Sequence, residues 1–206
     1  MPDAGQRVFI VDDDDAMRDS LAWLLEAHGH RVVAYDSAAS FLAAYGAHLR
    51  GCVVLDVRMP GMSGIELHDR LRALRATLPV VFVTGHGDVP MAVSAVKKGA
   101  VDFIEKPFAE ADLLRLVGQA LELEREQLDA RRREAEVRRR IDTLTHRERE
   151  VLELVVAGKA NKQIADDLGI SPKTVEVHRA RVMEKMEAGS VAELVHAVLA
   201  VQAKRD

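Results

Sequence analysis

Four short apolar segments of this chain each run into a residue with a charge or a hydroxyl at its end. Val8-Phe9-Ile10-Val11 leads to Asp12 and Asp13, and Cys52-Val53-Val54-Leu55 leads to Asp56. Val80-Val81-Phe82-Val83 leads to Thr84, and Val101-Asp102-Phe103-Ile104 leads, one residue on, to Lys106 and Pro107. A fifth segment, Arg31-Val32-Val33-Ala34, carries no such group. Short β-rich runs separated by helix-like stretches are the pattern of buried parallel strands. The fold class expected is therefore α/β, a doubly wound five-stranded parallel sheet. Ligands of such sheets sit beyond the carboxyl ends of the strands, where the strand order reverses. Asp12, Asp13, Asp56, Thr84 and Lys106 are expected to meet in one crevice there.

The stretches between the strands have helical period and punctuation. Residues 16–28 place Met17, Leu21, Leu24 and Leu25 on one stripe, and Gly29 follows at a C′ position. Further helices are expected over 38–45 and 65–74, from Asp88 to Gly99 with Pro90 in the first turn, and from Glu110 on through Arg140. Asp14 and Asp15 fit a cap and first turn, where the helix dipole favours acid. Residues 122–140 are dense in charge, and the positions that would complete a coiled-coil seam, Glu124, Arg131 and Arg138, are charged. This stretch reads as a solvated helical linker. The alternative is that its Arg clusters touch DNA phosphates, against which stand the interleaved Glu residues that cancel much of their field.

After the linker the strand signals stop. Thr145 with Glu148 forms a capping box for a helix through Val156, and Asn161 is expected to cap a second, through Leu168. Ser171-Pro172 starts a third, and Ser190 with Glu193 opens a fourth. The chain is thus expected to divide into an α/β domain over 1–121, a linker over 122–140 and an all-α domain over 141–206.

Charge narrows the partners. Residues 1–120 carry 12 Lys/Arg and 16 Asp/Glu, and residues 121–206 carry 17 of each. Any nucleic-acid surface must therefore be local. No apolar run is long enough to span a bilayer, and acidic residues follow the N-terminus at once, so a cytoplasmic chain with no membrane contact is expected. The lone Cys52 rules out an internal disulfide and reads as a core residue.

Carboxylates gathered in one crevice repel, by roughly 4 kcal/mol for two unit charges ~4 Å apart at an effective dielectric near 20. A hard divalent cation relieves that, and Mg²⁺ suits carboxylates, retained waters and a phosphate oxygen. An aspartate can itself attack phosphorus to give an acyl phosphate. Lys106 offers a point charge to the transferred group, and Thr84 a hydroxyl.

These residues carry a resemblance. Val-Asp-Asp at 11–13, Leu-Asp-Val-Arg-Met-Pro-Gly-Met-Ser-Gly at 55–64, Val-Thr-Gly at 83–85 and Glu-Lys-Pro-Phe at 105–108 stand in the order of a response-regulator receiver domain, a flavodoxin-like fold. The resemblance covers residues 7–120, and the full set is specific where each motif alone is modest. It implies that Asp56 accepts a phosphoryl group from a histidine kinase. Asp13 and Asp56 would ligate Mg²⁺ with the backbone carbonyl of Arg58, and Asp12 would act through water. Lys106 would pair with the phosphoryl group, Thr84 would shift to hydrogen-bond it, and Phe103 would rotate inward. Arg58 and His86 stand at positions that tune phosphoryl lifetime, and the Lys106–Pro107 bond would be cis.

Asn161–Leu168, Gly169-Ile170 and Ser171–Met186 read as helix, tight turn, helix. Val175, His178, Val182 and Met186 mark the buried stripe, leaving Lys173, Glu176, Val177, Ala180, Arg181 and Glu184 outward, with Arg179 and Lys185 at the flanks. Such a helix can enter the major groove. Leu-Thr-His-Arg-Glu-Arg-Glu-Val-Leu, Gly-Lys-Ala-Asn-Lys-Gln-Ile-Ala and Ser-Pro-Lys-Thr-Val-Glu-Val-His-Arg resemble the LuxR-type helix-turn-helix over residues 144–200. With the receiver this makes a two-component response regulator of the FixJ/NarL class, with Thr84-Gly-His-Gly-Asp-Val-Pro-Met-Ala-Val particularly FixJ-like. Lys162, Lys173, Thr174, Glu176, Val177, Arg179, Ala180, Arg181 and Lys185 are the DNA-facing candidates. Glu176 would accept from cytosine N4 and Val177 would meet a thymine methyl. His146 and His178 read as packing or capping residues, since no metal spacing surrounds them.

The reading that follows is a phosphorylation-switched transcription regulator. Its expected partners are a sensor histidine kinase, double-stranded promoter DNA and a second copy of itself on phosphorylation, through the fourth helix, fifth strand and fifth helix. The competing outcome is inhibition, the receiver covering the recognition helix until phosphorylated. RNA polymerase is a further candidate. An aspartate-nucleophile phosphatase would need a second acid two residues after Asp56, where Arg58 stands. A phosphate-binding Gly-rich loop for ATP-driven activation is absent from the sequence. An adaptor that docks partners without binding DNA is the remaining rival, and the LuxR-like segment weighs against it.

Overall fold

A computed structural model describes residues 5–85 and 89–202, with the side chains of Val89, Pro90, Ala92 and Ala95 left aside. The chain divides into two compact units, Met1–Gln127 and Leu128–Asp206.

In the first unit, β1 (Arg7–Val11), β2 (Val32–Tyr35), β3 (Gly51–Asp56), β4 (Val80–Thr84) and β5 (Asp102–Glu105) form one sheet in the order β2-β1-β3-β4-β5. All four pairings are parallel. The helices between them are α1 (Asp15–Ala27), α2 (Ala38–Ala44), α3 (Gly64–Ala73) and α4 (Val89–Lys97), and α5 (Glu110–Asp142) follows the last strand. Successive strand residues point to opposite faces, so the apolar strands feed two cores. Val8, Ile10, Cys52, Val54, Val81, Val83 and Ile104 pack with Leu21, Leu24 and Leu25 of α1 and Leu113, Leu116 and Val117 of α5. Phe9, Val11, Val53, Leu55, Val80 and Phe82 pack with Phe41 of α2 and Leu67 and Leu71 of α3. Burial on both faces explains why these strands read as continuous hydrophobic runs rather than alternating ones.

The element boundaries follow local chemistry. The Asp14 side chain accepts from the Ala16 and Met17 amides, so the second pair of the acidic run caps α1 as expected. Ser63 and Glu66 form a full capping box on α3. Strands β2 and β5 each lie one residue later than the sequence suggests. The expected start of α4 at Asp88, like His86, lies outside the described residues. Cys52 is buried in β3, and burial pushes its thiol up, as a core residue requires.

Helix α5 is continuous for 33 residues and takes in the whole stretch read as linker. That stretch is less uniformly solvated than its composition suggests. Glu124 is 4% exposed. Its carboxylate accepts from Gln6 Nε2 at 2.7 Å and from Arg50 Nε at 3.2 Å, while Gln6 also donates to the Leu121 carbonyl.

The second unit holds the end of α5 with α6 (His146–Val156), α7 (Asn161–Leu168), α8 (Pro172–Lys185) and α9 (Val191–Gln202). Its core joins Leu144, Val151, Leu152 and Val155 to Ile164, Val175, Val182, Met186, Leu194 and Val198, with Val137 and Ile141 of α5 packed against it. Thr145 and Glu148 form the expected capping box. The cap of α7 is a correction: Ala160, not Asn161, is the N-cap, and the Gln163 side chain accepts its amide. At α9 the Ser190 hydroxyl accepts from the Glu193 amide, while the Glu193 carboxylate reaches back to Gly189 rather than to Ser190.

Candidate functional site

The sheet order reverses between β1 and β3: from β1 the chain winds one way to β2, and from β3 the other way to β4 and β5. Val11 lies opposite Leu55, which sets Asp12 beside Asp56 at the switch point. Both carboxylates are buried, at 2% and 7% exposure. Lys106, just beyond β5, bridges them: its Nζ stands 2.8 Å from Asp56 Oδ1 and 3.1 Å from Asp12 Oδ2. The opposite oxygens are also held, Asp56 Oδ2 by the Arg58 amide at 2.7 Å and Asp12 Oδ1 by the Asp14 amide at 2.9 Å.

The electrostatics follow from that geometry. Burial pushes the Asp56 carboxyl above its ordinary range; the Lys106 hydrogen bond and charge draw it back part of the way, and the Asp12 charge pushes it up again. Burial alone would lower the Lys106 ammonium, but its hydrogen bonds and charge pairing with Asp56 and Asp12 outweigh that and hold it up.

Thr84 ends β4, fully buried, with its hydroxyl donating to the Gly85 carbonyl at 3.2 Å and its own carbonyl accepting from the Lys106 amide at 2.8 Å. Phe103 is half-buried opposite Phe82 and packs on the α3-side core. The Lys106–Pro107 peptide is cis, as expected. The structure brings together Asp12, Asp56 and Lys106; Asp13 is exposed beside them. Among the described residues no three Asp, Glu, His or Cys side chains form a ready metal cage. The donors nevertheless suit Mg²⁺, which is usually held by one or two carboxylates and keeps its waters. Two buried carboxylates sharing a single ammonium leave negative charge for a second cation to relieve.

Gly64 is a site residue that sequence reading passes over. A Cβ there would stand 2.0 Å from the Asp56 carbonyl oxygen, so only glycine lets the start of α3 close on the end of β3.

In the second unit, α7 ends at Gly169 in the left-handed conformation (φ 63°), a turn that any side chain would disfavour, and α8 begins under the Ser171 cap. Val175, Val182 and Met186 are buried and His178 half-buried, with no partner on its buried Nδ1. Lys173, Glu176, Val177, Ala180 and Arg181 form the exposed face, and Lys162 is exposed on α7. Lys173 Nζ donates to Glu176 Oε2 at 2.9 Å; Thr174 and Arg179 are half-buried, with the Thr174 hydroxyl 2.8 Å from that of Ser171.

Lys185 departs from its place as a flanking cation. Its Nζ stands 2.6 Å from Glu148 Oε2 and 3.2 Å from the Thr143 carbonyl, so its charge is committed to the domain's own fold. Glu148 is 2% exposed, and the Lys185 hydrogen bond, with the Thr145 amide, holds its carboxyl down at about 2.

Comparison with known proteins matches residues 8–118 to the response regulator receiver domain and residues 142–198 to bacterial regulatory proteins of the luxR family. The transcriptional regulatory protein FixJ of Azorhizobium caulinodans is 54% identical over 192 residues, 93% of this chain and 91% of its own. Among solved structures, the response regulator StyR is 46% identical with a TM-score of 0.83, over 95% of this chain and 98% of that one. Full-length FixJ from B. japonicum is 43% identical with a TM-score of 0.59, over 96% and 98%.

Proposed function

This chain belongs to the response regulators that join a receiver domain to a LuxR-family DNA-binding domain, and on that premise we propose that Asp56 is the phosphoacceptor and α8 the DNA-reading helix. It is a transcription regulator rather than a classical enzyme, its receiver implying a histidine kinase partner and its C-terminal domain DNA. The observation that carries the phosphoacceptor reading is the bridging of Asp12 and Asp56 by Lys106 at the switch point.

In the transfer, an Asp56 carboxylate oxygen attacks the phosphorus of a phosphohistidine. An O–P bond forms, the P–N bond breaks, and the electron pair leaves with the imidazole. Asp12, Asp13, Asp56 and the Arg58 carbonyl are the residues that would hold Mg²⁺, which supplies positive charge to the equatorial oxygens. Lys106 trades its carboxylate partners for the phosphoryl oxygens. Thr84 turns its hydroxyl from the Gly85 carbonyl to the new group, and the space it leaves admits Phe103.

Phosphorylation then promotes dimerisation through α4, β5 and α5, and two linked DNA-reading domains engage two half-sites together. Met91 and Val93, 45% and 38% exposed on α4, support an interface there. On DNA, Lys162, Lys173, Arg179 and Arg181 meet phosphates, while Thr174, Glu176, Val177 and Ala180 face base edges. Lys185 acts by fixing α8. The protein works in the cytoplasm, with RNA polymerase as a further partner, and its functional parts are the receiver to 121, the helix to 140 and the DNA-binding domain beyond.

Incubation with radiolabelled acetyl phosphate and Mg²⁺ tests the phosphoacceptor. Wild type takes up hydroxylamine-sensitive label and Asp56→Asn does not; equal labelling of the variant would move the acceptor elsewhere.

A further inference from the structure

The final turn of α5 carries Arg140, whose guanidinium is divided among three acceptors. Nε donates to Glu136 Oε1 at 2.9 Å, one turn back on the same helix. Nη1 donates to the Met186 carbonyl at 3.0 Å, and Nη2 pairs with Glu187 Oε2 at 2.6 Å. Met186 is the C-cap of α8. Glu187, the next residue, has φ 51°, a left-handed conformation that non-glycine side chains resist. Arg140 thus closes on the end of α8 at two points: a carbonyl the helix leaves unpaired, and the carboxylate of the strained residue that turns the chain toward α9.

Position and residue type both matter here. A cation at a helix C-terminus is favoured by the helix dipole. A guanidinium can address a carbonyl and a carboxylate at once in a fixed fork, which an ammonium cannot. The Arg140 side chain is 23% exposed and that of Glu187 66%, so the guanidinium is partly shielded while the carboxylate stays in solvent, and the bond to the Met186 carbonyl is the firmer tie. Val137 and Ile141, on either side of it, pack against the core of the second unit. Lys185 holds the same end of α8 to Glu148 on α6.

We propose that Arg140 is a positioning residue for DNA recognition, fixing the angle at which α8 presents its exposed face by tying the end of that helix to the last turn of α5. The inference rests on the reading of α8 as the DNA-reading helix. It assigns the end of the charged stretch to the DNA-reading machinery rather than to a passive linker.

The test uses the full chain treated with acetyl phosphate, a duplex enriched by wild type from a random pool, and an unrelated duplex. Arg140→Ala is expected to lose about tenfold or more in affinity for the enriched duplex, the scale of one lost base readout. Its affinity for the unrelated duplex and its salt dependence stay as in wild type, because no phosphate contact is lost. Arg140→Lys falls between the two. Wild-type affinity of Arg140→Ala for both duplexes would overturn the proposal. So would an equal loss on both with a shallower salt dependence, the signature of a direct phosphate contact. Should Arg140→Ala melt below the assay temperature, Arg140→Lys and Glu187→Gln decide, selective loss supporting the proposal and unchanged binding refuting it. Val177→Ser serves as a separate control on the helix: if it enriches the same sequences as wild type, the base-reading role of α8 fails, whatever Arg140 does.

Discussion

Gly64 and Asp56 touch backbone to backbone: a Cβ on Gly64 would stand 2.0 Å from the Asp56 carbonyl oxygen. The Gly64 amide meanwhile donates to the Val57 carbonyl at 3.0 Å, so the chain leaves β3, loops and returns against its own strand end. The first residue of α3 therefore helps to set where the Asp56 carboxylate stands.

Gly64→Ala must push α3 or Asp56 aside. Overpacking of this kind costs about 1–3 kcal/mol, read as a lower urea midpoint for the receiver. Phosphoryl uptake should slow as well, since the displaced residue is the proposed phosphoacceptor. An unchanged midpoint and labelling rate would show that the contact is not needed.

Asp56→Asn should raise the thermal midpoint of the receiver at neutral pH. Burial, helped by the Asp12 charge, outweighs the Lys106 hydrogen bond and charge and the Arg58 amide and holds the Asp56 carboxyl above its ordinary value, so ionising it costs the folded state more than the unfolded one. That cost is absent below the unfolded value of 3.8 and grows as pH rises through the folded one. The advantage of the variant should therefore vanish in acid. Equal midpoints at pH 7, or a lower one for the variant, would contradict this electrostatic balance.

The Glu148–Lys185 pair works in the other direction. Glu148 is held down at about 2 from an ordinary 4.5, so its stabilisation is complete above pH 4.5 and drains away as pH falls toward 2. Glu148→Gln should flatten that acid limb of the second unit's unfolding curve. Lys185→Ala should cost about 2 kcal/mol, within the range for hydrogen bonds to charged groups, because it leaves the buried carboxylate with only its Thr145 cap. If Lys185→Ala instead left stability intact and weakened DNA binding with a shallower salt dependence, the ammonium would be a phosphate contact after all.

Thr84→Ala should uncouple the receiver rather than block it. Asp56 and Lys106 remain, so label still enters, but the hydroxyl that would draw Thr84 toward the phosphoryl group is gone. Gel filtration of the labelled variant should show monomer, and of labelled wild type the proposed dimer. Matching dimerisation would remove Thr84 from the switch.

Much of this was legible in the sequence because two buried faces force continuous apolar strands, and parallel topology puts their ends together. That logic places Asp12, Asp56 and Lys106 together and Thr84 at the end of β4, though not that its hydroxyl turns to the Gly85 carbonyl. The exposed face of α8 followed from its 3.6-residue period. Contacts between residues distant in sequence were not legible. Arg140 and Glu124 look like any other charges on a solvated helix until Met186 in one case, and Gln6 and Arg50 in the other, are folded against them. Lys185 shares the flank of α8 with Arg179, and nothing local says that it turns inward to Glu148. Gly64 sits among turn residues, and its close approach to Asp56 emerges only when strand and helix are both in place.

The central claim, that a phosphoryl group on Asp56 switches DNA binding, is tested most directly by titrating a duplex enriched from a random pool with the full chain. Wild type and Asp56→Asn are each titrated with and without acetyl phosphate and Mg²⁺, at fixed salt. Acetyl phosphate should tighten binding by wild type about a hundredfold or more, on the scale of linking two weak contacts, and leave Asp56→Asn unchanged. Equal tightening in the variant, or none in a fully labelled wild type, would contradict the account.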